Sequence, residues 1–180
     1  IVGFTASSLL RTNISDYLLQ LPQPWLVSMP VLAGRHGWSS TVEELTKAYT
    51  RLSDTGIYKD LFLSLSQAQT VVNFDMFDPR HRDLLETLQS RQLLDVGMAS
   101  DFDALMGGRL AVIQYHLRNK GRGVELVNRA ATALAAYELE MQRLKALGRS
   151  ESELSLERMH KEAVDYAAFV IDKTHGDYSY

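Results

Sequence analysis

One uninterrupted helical pattern, from Val124 to Leu147, constrains the fold of this chain more than any other feature. Apolar residues recur in it at three- and four-residue spacing, which places them on one stripe of a helix. These residues are Leu126, Ala130, Ala133, Leu134, Tyr137, Met141 and Leu144. Gly148 follows at the position where a left-handed residue commonly ends a helix. We therefore predict that this segment is the longest helix and that its stripe lies in the core.

Two helix starts are marked earlier in the chain. Ser40 and Glu43 fit the capping box, in which a hydroxyl and a carboxylate each accept a hydrogen bond from a backbone N–H. They predict a helix through the apolar positions from Val42 to Leu52. Asp78 followed by Pro79 predicts a second start, because Asp is a good cap and Pro suits the first helical position.

Apolar periodicity predicts three further helices. They are Tyr58 to Phe74, Leu110 to Leu117, and a final helix from Leu156 to about Lys173. Because the connections are short, neighbouring helices are expected to run antiparallel. The predicted fold class is all-α: a multi-helix antiparallel bundle with an irregular apolar N-terminal segment.

That N-terminal segment, residues 1–38, differs in character from the predicted helical domain, residues 39–180. It holds 18 uncharged residues from Tyr17 to Gly34, which approaches the length of a membrane span. Three prolines interrupt it, and each removes a backbone donor: Pro22, Pro24 and Pro30. A kinked segment is therefore favoured over a spanning helix. Candidate interaction residues are Leu18, Leu19, Trp25, Leu26, Met29, Leu32 and Trp38.

Two alternatives remain open for this segment. Later helices bury it in the core, or it is an exposed surface that contacts a partner. Trp25 and Trp38 would also suit the headgroup boundary of a lipid bilayer.

Composition excludes several classes of protein. Hydrophobic residues at 46% and charged residues at 23% are ordinary for a globular domain, so the chain is neither collagen-like nor wholly disordered. A formal net charge of -3 gives no overall attraction to nucleic acid. The absence of cysteine excludes disulfides and thiolate metal sites. Since the first residue is Ile1 rather than Met, we expect the chain to be part of a longer protein.

No catalytic, cofactor-binding or metal site is predicted. The five histidines form no HExxH motif and none stands at helical spacing from another, so solvated or core-edge positions are expected for them. They are His36, His81, His116, His160 and His175. The chain also has no GxSxG elbow and no glycine-rich phosphate loop. A stand-alone helical enzyme with a dispersed site is the least favoured hypothesis.

A local excess of basic residues is opposed only by Glu125. The basic patch is Arg109, Arg118, Lys120, Arg122 and Arg129. Such a patch would suit the phosphates of nucleic acid or phospholipid, but a solvated turn between two helices is the favoured interpretation. Only Tyr115 lies inside it, so a base-stacking surface is not indicated.

Several short motifs, taken in order, resemble one helical region of very large phage proteins. The motifs are Leu18-Leu19-Gln20, Met29-Pro30-Val31-Leu32 with Gly34-Arg35-His36-Gly37, Gln92-Leu93-Leu94-Asp95-Val96-Gly97, Val124-Glu125-Leu126-Val127-Asn128-Arg129 before an alanine-rich stretch to Tyr137, and Asp172-Lys173-Thr174 with Asp177-Tyr178-Ser179. The chain thereby resembles internal virion (DNA-ejection) proteins of short-tailed phages and large polyvalent proteins of phages and conjugative elements. It departs from that pattern at His175-Gly176, where a bulkier residue is expected.

The resemblance implies a function by assembly. Internal virion proteins leave the capsid with the genome and help to build a conduit across the host envelope. The chain would then act in the virion and afterwards in the host envelope, with other ejection proteins or copies of itself as partners. Contact with the host inner membrane or with DNA would fit that role. The alternative is a helical accessory domain that connects catalytic domains of a polyvalent protein.

Four residues of these motifs are predicted to be structural: Asn128, Arg129, Asp177 and Tyr178. The C-terminal arm would pack back across the long helix. A charge-assisted pair between Arg129 and Asp177 would hold it there.

Overall fold

The structure is a computed structural model that describes residues 22–55, 74–94, 109–148 and 153–175. These ranges form a π-helical turn (Pro24–Ser28), a 3-10 turn (Phe74–Met76) and five α-helices, with no strand among them. The α-helices are α1 (Met29–His36), α2 (Trp38–Asp54), α3 (Pro79–Ser90), α4 (Arg109–Ala146) and α5 (Glu153–Thr174). The all-α fold class is confirmed for the described part of the chain.

Helix α4 is the axis of the bundle. It is 38 residues long, and α2 and α5 both pack along it. Contacts of Tyr137 with His160 and of Thr132 with His175 show that α5 runs antiparallel to α4. Every residue from Gly123 to Tyr137 except Leu126 is buried, so this stretch of the helix is surrounded rather than buried on one stripe.

The start of α4 differs from the sequence prediction. The helix begins at Arg109 rather than at Val124, so Gly121 and Gly123 lie inside it. A glycine inside a helix costs about 1 kcal/mol relative to alanine, which tertiary packing offsets. The predicted end is confirmed, because Gly148 adopts the left-handed conformation with a φ of 70°.

The predicted capping box at Ser40 and Glu43 is wrong. Helix α2 begins at Trp38 and is preceded by Gly37, whose φ of 86° no side chain tolerates easily. Ser40 therefore lies inside the first turn, and no side chain caps the helix. The hydroxyl of Thr41 instead donates to the Gly37 carbonyl at 2.8 Å.

The start of α3 is as predicted. The Asp78 carboxylate accepts hydrogen bonds from the backbone N–H groups of Arg80 and His81, at 3.1 and 3.2 Å. Leu84, Leu85 and Leu88 of this helix are fully buried. The helix predicted at residues 58–74 falls outside the described residues, apart from Phe74, which begins the 3-10 turn.

The N-terminal segment is helical from Gln23 onward. Pro24 stands in the first turn of this helical stretch, where its missing N–H has little cost. Pro30 directly follows the π-helical turn, whose last hydrogen bond runs from the Met29 N–H to the Pro24 carbonyl. Leu32 of this segment joins the same hydrophobic core as Leu45 and Leu134. Among the described residues no helix is both long and apolar enough to cross a membrane.

Candidate interaction surface and buried polar networks

Large apolar side chains remain exposed on the N-terminal hairpin, which comprises the π-helical turn, α1 and α2 (residues 24–54). We call six of them the apolar face: Trp25, Leu26, Val27, Val31, Trp38 and Val42. Leu26 is 69% exposed and Trp38 is 59% exposed. Exposed single apolar residues are common, but such a group on one hairpin is typical of an interaction surface.

The apolar face is continuous across both arms of the hairpin. Trp38, Val42 and Tyr49 follow one stripe of α2, at spacings of four and seven residues. The ring of Tyr49 stacks on Trp25, with centroids 6.2 Å apart and planes 16° from parallel. This stripe therefore borders the π-helical turn, which carries three exposed members of the apolar face: Trp25, Leu26 and Val27.

The structure divides the interaction candidates predicted from sequence. Trp25, Leu26 and Trp38 are exposed, while Met29 is half-buried. Leu32 is completely buried in the core and therefore does not contact a partner. Leu18 and Leu19 lie outside the described residues.

Three members of the apolar face are not among the interaction candidates predicted from sequence: Val27, Val31 and Val42. Val27 and Val31 are one helical turn apart, but that relation appears only once the prolines are placed within helical turns. Interpreting the prolines as interruptions concealed it.

Beneath the hairpin, the buried carboxylate of Glu140 binds two arginines. Arg35 of α1 donates to it through Nε and Nη2 at 3.2 and 2.9 Å, and Arg143 donates through the same two nitrogens. Burial alone would raise the pKa of Glu140, but the hydrogen bonds from Arg143 and Arg35 lower it below its ordinary value. This carboxylate thus joins α1 to α4 and neutralises part of the local positive charge.

Tyr166 of α5 extends the same network. The Arg35 guanidinium lies 4.7 Å from its ring centroid, and the His36 ring contacts it edge-on at 5.3 Å. Burial is the largest cause that lowers the pKa of His36, which outweighs the opposing effect of Glu140. Burial thus favours the neutral form of the His36 ring.

A second network lies in the core around His175. Its Nδ1 is 3.1 Å from Glu125 Oε1, and its Nε2 is 3.3 Å from both Ser28 Oγ and Thr132 Oγ1. The Thr132 hydroxyl also donates to Ser28 at 3.2 Å. The tautomer with its proton on Nδ1 satisfies this chain: Thr132 donates to Ser28, Ser28 to His175 Nε2, and His175 Nδ1 to Glu125. The Gln23 amide nitrogen, 3.3 Å from Nδ1, donates to the Thr174 carbonyl.

Arg129 completes this network. Its Nε donates to Glu125 at 2.9 Å, while Nη1 and Nη2 donate to the carbonyls of Leu93 and His175 at 2.9 and 3.0 Å. Burial would raise the pKa of Glu125, but hydrogen bonds from His175 and Arg129 lower it overall. One oxygen, Glu125 Oε2, is buried and has no hydrogen-bond partner among the described residues.

The order hydroxyl, imidazole, carboxylate matches that of a nucleophilic relay. Ser28, however, is 0% exposed, and His175 and Glu125 are at most 2% exposed. A substrate carbonyl has no route to a hydroxyl that is wholly inside the core. We therefore assign this network a structural role: it ties the end of α5 to α4 and to the N-terminal hairpin.

This position of Arg129 corrects one sequence prediction. Arg129 is only 8% exposed and binds within the core, so it does not belong to a surface basic patch. The structure places Arg109, Arg118, Lys120 and Arg122 on α4, but their side chains fall outside the described part of the structure.

The predicted structural motif is tested for half of its residues. Asn128 is buried and accepts a hydrogen bond from the Tyr49 hydroxyl at 2.9 Å, which joins α2 to α4. Arg129 is structural as described above. Asp177 and Tyr178, and hence their predicted contacts, lie outside the described residues.

A third network fixes α3 to α4 and α5. His81 of α3 lies between Asp78 and Glu138, with Nε2 2.6 Å from Glu138 Oε1. The hydrogen bond from His81 is the main cause that lowers the pKa of Glu138. His81 therefore lies at a contact between helices rather than in solvent. His160 bridges two helices in the same way.

The Tyr137 ring stands between two histidine rings. Its centroid is 5.7 Å from that of His81 and 5.5 Å from that of His160. The Tyr137 hydroxyl is 2.8 Å from His160 Nδ1, and His160 Nε2 is 2.7 Å from Asp83. Burial raises the pKa of Tyr137 to about 12, so the phenol keeps its proton and is not a nucleophile near neutral pH.

Metal binding and relatedness give no further assignment. Within the described ranges, no group of three or more His, Asp and Glu side chains is arranged to hold a metal ion. Comparison with protein-family models, with curated proteins and with solved structures finds no match to this chain.

Proposed function

We propose that the chain is a structural assembly module of a phage internal virion protein that takes part in genome ejection across the host envelope. In this proposal it acts by contact rather than by catalysis. Its partners are other ejection proteins or copies of itself, first in the virion and then in the host envelope.

The observation that carries this proposal is the apolar face. Six large apolar side chains stay exposed on a hairpin whose other side is packed into the core. Exposed apolar area of this kind is unfavourable for a free domain and becomes favourable when a partner covers it. A module whose role is assembly needs such a surface.

The polar residues of the described part support the same interpretation. The titratable groups that sequence analysis would consider for chemistry, such as His175, His81 and Tyr137, each bridge helices inside the bundle. They are used to hold the helices in place. The family resemblance stated above supplies the phage context, and the polyvalent accessory domain remains the alternative in which the same face contacts a neighbouring domain.

A matched pair of substitutions tests this function in the phage that encodes the parent protein. Leu26→Glu places a charge in the apolar face, while Leu147→Glu places it on a leucine that is 61% exposed beyond α4. We expect Leu26→Glu to lower the number of infective units per DNA-filled particle, and Leu147→Glu to leave it unchanged. Gel quantification of the parent protein in each particle separates failed incorporation from failed ejection. Unchanged incorporation and infectivity with Leu26→Glu would contradict the proposal.

A further inference from the structure

We infer that the apolar face is the contact between two copies of this chain, related by a twofold axis. This inference deepens the proposed assembly function and rests on it for its biological setting. The contact itself is a property of the chain and is testable without any phage.

The first argument is the charge pattern of the face. A twofold interface places the same patch of both copies opposite itself, so a charge near the axis would face its own image. The hairpin has no charged residue from Gln23 to Gly34. That range contains the four members of the apolar face that precede α2: Trp25, Leu26, Val27 and Val31. The stripe of Trp38 and Val42 on α2 adds no charge. The face itself is therefore uncharged, and the half-exposed Arg35, one helical turn from Val31, is paired with Glu140.

The second argument separates a protein partner from an anionic lipid surface. Binding to phospholipid headgroups uses free Lys and Arg side chains beside the apolar residues. In residues 24–54, Arg35 is held by Glu140, Lys47 by Glu43 and Glu44, and Arg51 by Glu138. Each cation of the hairpin thus has a carboxylate partner, and the chain carries a net charge of -3. Another neutral apolar face suits this surface better.

The third argument is size and shape. A stable interface buries roughly 800 Å² per partner around an apolar core. Two tryptophans, a leucine and three valines, each between 37% and 69% exposed, supply several hundred Å² of that core. Gly34 is exposed and has no atom within 4 Å of its missing Cβ, so a second helix meets no side chain there.

Sedimentation equilibrium and size-exclusion chromatography with light scattering test the inference on the 180-residue chain. We expect a mass that rises with concentration to twice 20.3 kDa. Leu26→Glu should weaken dimerisation by roughly tenfold or more, as for residues at the centre of an interface. Leu147→Glu should dimerise like the unchanged chain. A monomer at all accessible concentrations, or equal dimerisation of both variants, would overturn the inference.

Because the chain has no cysteine, a single introduced thiol reports which surfaces meet. Cysteine at residues 26, 27, 30, 31 and 34, one at a time, should give an oxidised dimer at the positions nearest the axis, since a disulfide needs Cα atoms within about 7 Å. Leu147→Cys is the control and should stay monomeric on oxidation. Crosslinking at residue 147 alone would contradict the proposed face.

Vesicle flotation distinguishes a second copy of the chain from a lipid surface as the partner of the apolar face. Vesicles of neutral and of anionic phospholipid should not retain the chain. A monomer that floats with vesicles, and loses flotation with Leu26→Glu, would overturn self-association in favour of lipid. Failure of the phage experiment together with a dimer in solution would reject the ejection role while leaving the homotypic contact established.

Discussion

Replacing Arg129 by methionine should destabilise the fold strongly, because this guanidinium is the positive centre of the core network. The substitution removes hydrogen bonds to Glu125, to the Leu93 carbonyl and to the His175 carbonyl, all between 2.9 and 3.0 Å. Glu125 is 2% exposed and one of its oxygens already lacks a hydrogen-bond partner among the described residues. Removing one member of a buried ion pair costs about 3–5 kcal/mol, chiefly because the remaining charge is buried without compensation.

Two further variants separate this cause from a mere loss of packing. Adding Glu125→Leu to Arg129→Met removes the uncompensated charge, so the double variant should recover part of the lost stability despite carrying one more substitution. Arg91→Met breaks the exposed pair with Asp165 and should cost less than about 1 kcal/mol.

Urea denaturation followed by circular dichroism measures all three variants. When the slope of the unfolding free energy against urea concentration is the same for all variants, shifts of the urea midpoint give the differences in the free energy of unfolding. An Arg129→Met variant within about 1 kcal/mol of the unchanged protein would refute the buried-charge argument. The argument would also be refuted if adding Glu125→Leu to Arg129→Met lowered the free energy of unfolding further instead of restoring part of it.

Further predictions concern the core and pH. Leu134→Ala should lower the free energy of unfolding by about 2–5 kcal/mol in urea titrations, because Leu134 is fully buried; a loss below roughly 0.5 kcal/mol would place it outside the core. Glu125, Glu138 and Glu140 have pKa values held below the ordinary carboxyl value in the folded state. Their stabilisation is present above the unfolded pKa and is lost as pH falls through the folded values, so urea midpoints should fall steadily below about pH 4.5. Midpoints that do not change between pH 5 and pH 3 would contradict these carboxylates' engagement.

Much of the fold follows from local patterns in the sequence. Asp78 before Pro79 marks a helix start by chemistry confined to four residues, and Gly148 marks a helix end in the same way. The apolar stripe through Leu134 predicts burial because helical period and core contact coincide there. Such features need no knowledge of which helix packs against which.

The parts that sequence reasoning missed depend on tertiary contacts. Ser28 and His175 are 147 residues apart, and only the packing of α5 on α4 and the hairpin brings them together. The buried pair of Glu125 and Arg129 left a signal, since opposite charges four residues apart inside an apolar helix indicate an internal ion pair. Counting charge along the chain rather than around the helix assigns Arg129 to a basic patch and hides this pair.

The prolines illustrate a second limit. A proline excludes a helix interior but is well tolerated in the first turn, so its effect depends on where the helix begins. Pro24 stands at such a beginning and Pro30 directly follows the π-helical turn, so the hairpin stays helical through both prolines. Helix starts are the least well defined feature of a sequence without capping residues, and here no side chain caps α1 or α2.

Quantitative mass spectrometry of the phage particle tests the central claim, assembly into an ejection machine, most directly. Peptides of this chain, such as the tryptic peptide Ala130 to Arg143, would be counted in purified DNA-filled particles and again in capsids emptied by triggered genome release. The account predicts that the peptides are present in filled particles, at a fixed copy number relative to the capsid protein, and are lost from emptied capsids. Peptides found in infected cells but absent from filled particles, or retained in full after genome release, would contradict it.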